Sequence, residues 1–132
     1  MKDLNEYEES EKLIYLQALI SLAHADGIHD AERQYIAIQA QCVGLSLDTM
    51  WEVPDLPDRE LLRELPDCLR NILFRDLVTL GYIDNDLSET EWKRIEELAL
   101  LMDYPLEKVV EIECWLQDYW LVLKRGEALF AV

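Results

Sequence analysis

The chain has 132 residues, 51% of them apolar, which is one domain's worth of sequence: too short for separate cofactor and substrate lobes, and too apolar for intrinsic disorder. Asp and Glu number 28 against 12 Lys and Arg, a net charge of −16. Repulsion at long range therefore excludes nucleic acid and anionic lipid as partners, and a protein partner with a basic surface is expected.

Met1–Lys12 carries no basic segment followed by an apolar run, so no signal peptide is read there and a cytoplasmic location is expected. The longest stretches free of Asp, Glu, Lys and Arg, Leu13–Ala25 and Gln34–Leu47, have only 13 and 14 residues. A spanning helix needs ~20, so membrane insertion is not expected. From about Ser10 to Ala25 the apolar residues Leu13, Leu16, Ile20 and Ala23 recur at helical spacing, with Leu19 and Leu22 widening the face. A second helix is expected over 30–43, opened by Asp30 as N-cap, presenting Ile36, Ala40 and Val43, and ended by Gly44 in the left-handed region. Ser46 begins a short helix closed by Pro54 and Pro57, and Asp58 caps another over 59–65. Pro66 and Asp67 open a long helix to about Ile83. Ser88 and Glu91 form a capping box for a helix to Met102, and Pro105 starts the last one, which Gly126 is expected to break after Arg125. The expectation is one all-α domain over 1–132 with about seven helices.

The sequence also repeats. A shift of 58 pairs Ile14 with Ile72, Leu19 with Leu77, Leu22 with Leu80 and Asp26 with Asp84; a shift of 59 pairs Glu32 with Glu91, Ile36 with Ile95, Ala40 with Ala99 and Val43 with Met102. Two helical hairpins, 13–43 and 66–102, are thus expected to be related by an approximate two-fold, with one residue inserted in the second loop.

Each hairpin has an Asp where its first helix ends and a Glu in the first turn of its second. The loops Ala23-His24-Ala25-Asp26-Gly27-Ile28-His29-Asp30-Ala31-Glu32 and Asp84-Asn85-Asp86-Leu87-Ser88-Glu89-Thr90-Glu91 resemble the tellurite-resistance TerB-like family, in which an Ala-Asp-Gly loop followed by an acidic helix start occurs twice. The resemblance covers roughly 13–110, and Asn85 stands where the second Gly would be. It implies an all-helical, non-enzymatic binding or scaffold module, linked to stress or tellurite resistance, with suspected metal binding.

The residues of the loops bear on that implication directly. Asp26 and Asp84 stand at helix C-termini, where exposed carbonyls already make the field negative and a cation would relieve it. Asp84, Asp86 and Glu91, with Glu89 nearby, offer the oxygen donors suited to Ca²⁺, Mg²⁺ or Mn²⁺. Asp26, Asp30 and Glu32 lie beside His24 and His29, a set open to Zn²⁺ as well. Caps and polar turns account for the same residues: Glu91 as the reciprocal partner of Ser88, Asp30 as an N-cap. An EF-hand is excluded, because the twelfth position from Asp84 is Ile95.

Catalysis has little support. There is no phosphate loop, nucleophile elbow or Cys–His signature, so a small enzyme using acidic or Cys side chains is the minor alternative. Cys42, Cys68 and Cys114 are spaced like neither a disulfide framework nor a zinc site and read as small buried hydrophobes. Trp115, Tyr119 and Trp120 crowd the last helix, and 128–132 is an apolar tail. That helix either fills the core or, with the tail, joins two copies in a homodimer.

Overall fold

A computed structural model of the chain describes residues 3–25, 27–46, 57–83 and 87–131. These form a 3-10 turn, Leu4–Glu6, and six α-helices: α1 Glu9–Ala25, α2 Asp30–Val43, α3 Arg59–Arg63, α4 Asp67–Gly81, α5 Glu89–Leu101 and α6 Leu106–Phe130. No strand occurs among the described residues. The short helix expected after Ser46 lies outside them.

The core is built around α1 and α4. α1 buries Ile14, Tyr15, Leu16, Ala18, Leu19, Ile20, Ser21, Leu22 and Ala23 in succession, so it is wrapped on nearly every side, as a helix apolar all round must be. α4 buries Leu69, Ile72, Leu73, Phe74, Leu77, Val78 and Leu80 and lies against α1. α2 and α5 are one-sided, burying Ile36, Ala40 and Val43 in one and Ile95, Leu98 and Ala99 in the other. α6 crosses α4, with Val109 and Leu116 buried. Phe74 and Tyr104 stack at 4.2 Å beneath the start of α6.

Helix ends follow the chemistry of their caps. Ser88 Oγ accepts from the Glu91 N–H at 3.1 Å and the Ser88 N–H donates to Glu91 Oε1 at 3.3 Å, the expected capping box. At α2 the N-cap is His29 rather than Asp30, with the His29 N–H donating to Glu32 Oε1 at 3.1 Å. Asp30 becomes the first helical residue, where its charge suits the helix N-terminus. Gly44 ends α2 at φ 74, with the Leu45 N–H reaching the Ala40 carbonyl at 3.0 Å. Asp103 does the same after α5 at φ 52, with the Tyr104 N–H on the Ala99 carbonyl at 2.8 Å. N-cap, glutamate and left-handed residue therefore fall in matching register in α2 and α5. Arg63 Nε and Arg70 Nη1 donate to the Leu101 and Met102 carbonyls at the end of α5, at 2.8 and 3.1 Å.

Other expectations are corrected as well. Gly126 does not break the last helix, which continues to Phe130; one glycine costs about 1 kcal/mol against alanine, and good helix formers flank it on both sides. Cys42, Cys68 and Cys114 are all exposed, not buried. α3 and α4 also stop two residues short of the expected Leu65 and Ile83.

The left-handed caps give a paired test. Gly44→Ala is expected to lower stability, and Asp103→Gly to raise it, by about 1 kcal/mol each, measured by urea denaturation with an unchanged slope.

Candidate functional site

The acidic loops come first because the sequence singled them out. Asp26, Asp84 and Asp86 lie outside the described residues. Of the rest, Asp30 and Glu89 are exposed, whereas Glu32 and Glu91 are buried, each with a carboxylate oxygen on the N–H of its own N-cap residue. His24 is half-buried and His29 exposed. Among the described residues no three His, Cys, Asp or Glu side chains converge in a group able to hold a metal ion.

A polar cluster that sequence reasoning missed lies deeper, where α1, α2 and α4 meet. Asp76 on α4 is 2% exposed. Its Oδ2 accepts from the Tyr15 hydroxyl of α1 and from Gln39 Nε2 of α2, the latter at 3.3 Å, and its Oδ1 accepts from Arg75 Nε at 3.0 Å. Gln39 Nε2 also reaches the Tyr35 hydroxyl at 3.3 Å. Burial first, and then the Asp76 carboxylate, push both Tyr15 and Tyr35 well above the ordinary tyrosine range, so both stay protonated. For Arg75, burial opposes the charge and Asp76 more than offsets it, leaving its pKa raised. The cluster surrounds a buried carboxylate with donors and ties three helices together.

The surface is dominated by α6. Tyr82, after α4, is its last anchor: the Tyr82 hydroxyl donates to Glu113 Oε2 at 3.0 Å and accepts from Gln117 Nε2 at 3.2 Å, and its ring meets Trp120 edge-on at 5.5 Å. Beyond Leu116 no residue of α6 is buried. Leu121, Val122, Leu123, Leu129 and Phe130 stand exposed, the last at 79%, and Trp115, 58% exposed, stacks with Tyr119 at 5.5 Å and 7°. Beside this stripe a groove of about 440 Å³ separates α4 from α6. Ile72 and Ile112 line its floor, Cys68 and Trp115 its walls, and Arg75 and Lys108 its rim. Arg75 thus belongs both to the buried cluster and to the groove.

No protein-family model, curated protein or solved structure matches the chain. Among the described residues no helix is long and apolar enough to cross a membrane.

The tyrosine shifts set a pH dependence. A folded-state pKa raised above the ordinary 10.0 means that the unfolded chain loses its protons first. The stability these groups contribute is therefore complete below about pH 10 and falls as pH rises beyond it. Tyr15→Phe removes one such group and one bond to a charged acceptor. It is expected to cost about 1.5–3 kcal/mol at neutral pH and to flatten the decline above pH 10, both read from thermal melts across pH.

Proposed function

We propose that this chain is a helical binding and scaffold module of the TerB-like kind, with no catalytic role, that engages a polypeptide along the outer half of α6. One observation carries the reading: residues 121–130 continue a regular helix past Trp120, which still packs on the body, while presenting Leu121, Val122, Leu123, Leu129 and Phe130 to water. A helical segment of that length is marginal alone in water, and helices gain their stability from a packed apolar face. A contiguous apolar surface of this kind marks an interaction site. The acidic body would steer a basic partner toward it, yet 117–130 is balanced, with Asp118 and Glu127 against Lys124 and Arg125, so docking there is apolar in character. The matching caps of α2 and α5 support the reading of two hairpins, 13–43 and 66–102, as an approximate two-fold pair.

A photo-crosslinking residue at Val122, in native cell extract, is expected to form an adduct with a polypeptide, while the same residue at exposed Glu60 on α3 forms none. Absence of any adduct from Val122, with itself or with another chain, refutes the docking reading.

A second reading attaches to the acidic loops: a divalent cation, Ca²⁺, Mg²⁺, Mn²⁺ or Zn²⁺, held by Asp84, Asp86 and Glu91, and less well by Asp26, Asp30 and Glu32. Its support is that Glu32 and Glu91 hold buried carboxylates in the same register beside the two loops. Binding to the folded state alone raises the melting temperature by mass action. One of these ions is expected to raise it beyond NaCl of matched ionic strength, and Asp84→Asn to abolish the difference; equal melting in every salt refutes it.

A further inference from the structure

The exposed face of α6 has a spacing of its own. Ile112, Trp115, Tyr119, Val122, Gly126 and Leu129 follow one another in alternating steps of three and four, the repeat that keeps one helix seam facing another helix along its length. Leu123 and Phe130 widen the seam on one flank, and Asp118 and Arg125 border it on the other. Gly126 interrupts the row of large side chains, and a Cβ built there would meet nothing within 4 Å. The gap therefore serves no packing within the chain.

Resting on the docking reading above, we propose that the occupant is a second copy of this chain, its α6 antiparallel to the first. The two-fold axis passes between the Tyr119 and Val122 layers. In that register Trp115 lies over the partner's Gly126, large against small, and the reciprocal contact repeats it. Asp118 faces the partner's Arg125, again twice. Leu129 and Phe130 reach back toward the partner's body and enter the groove between its α4 and α6, over Ile72 and Ile112. The interface is isologous and closed.

Area, charge and geometry agree on this occupant. The exposed parts of Trp115, Tyr119, Val122, Leu123, Leu129 and Phe130 amount to roughly 700 Å², close to the ~800 Å² each partner contributes to a stable interface. A chain of net charge −16 repels its copy nearly everywhere, but 117–130 is charge-balanced, so the outer half of α6 is where two such chains can meet. The antiparallel arrangement sets the two acidic bodies at opposite ends of the paired helices.

Sedimentation equilibrium of the full chain from 0.1 to about 100 µM tests it, a range that brackets micromolar association. A monomer–dimer equilibrium is expected. Asp118→Arg and Arg125→Asp, each placing like charges together, should raise the dissociation constant at least tenfold, and the double variant should restore it to within about threefold. Gly126→Leu should weaken the dimer at least tenfold without lowering the melting temperature of the monomer, since leucine is the better helix former. A chain that stays monomeric throughout overturns the inference, as does a dimer indifferent to all of these changes or one that the double charge reversal fails to restore. If the chain is monomeric but Val122 still crosslinks to a different polypeptide, the docking reading stands and the self-pairing falls; if neither occurs, both fall.

Discussion

A buried carboxylate at the junction of three helices constrains the elements around it. Isolated in a dry interior, Asp76 would cost several kcal/mol; the donors Tyr15, Gln39 and Arg75 offset that cost. This matters most for α1. A helix buried on nearly every side has no apolar face to tell it how to rotate, and hydrophobic burial alone would accept several angles about its axis. The Tyr15–Asp76 bond selects one of them, and the bond from Arg94 Nη1 to the Ser21 carbonyl, 3.2 Å, fixes α1 against α5 as well. Specificity of packing is here supplied by polar groups and stability by the apolar ones.

The body is tied at its helix ends in the same manner. Arg63 and Arg70, from α3 and α4, both terminate on carbonyls at the end of α5, where the helix dipole favours a cation. Five-residue α3 thereby gains a fixed position that its length alone would not give it. Only after these attachments does α6 leave the body, with Tyr82 as its final contact.

Helix starts and the cores of α2, α4 and α5 were legible because caps and periodicity act locally: Ser88, Gly44, Pro66 and Pro105 mark boundaries close to where they fall. Asp76 was overlooked because one acid among 28 reads as solvated. The signal was nonetheless present, since 76 continues the stripe of Leu69, Ile72, Leu73, Leu77 and Leu80, and an acid on that stripe must be buried with partners. The cysteines misled for the opposite reason. Cys42 and Cys114 each lie within two residues of a buried Val43 or Leu116, but a helix turns about 100° per residue, so apolar neighbours in sequence do not place a side chain on the apolar face. The outward face of α6 was open in the sequence between core and partner, because what covers a helix depends on where the rest of the chain runs out.

The charge of the body has a colloidal consequence for that helix. A row of exposed Leu, Val and Phe on a neutral scaffold would favour open-ended clustering, in which each new molecule adds another sticky end. In the proposed pairing, sixteen surplus negative charges would set acidic surfaces against one another beyond the α6 stripe, so growth would halt once the stripe is covered. The sequence isoelectric point is about 4.3. As pH falls toward it that electrostatic barrier disappears while the apolar helix remains, and the proposed pairing would cease to be self-limiting.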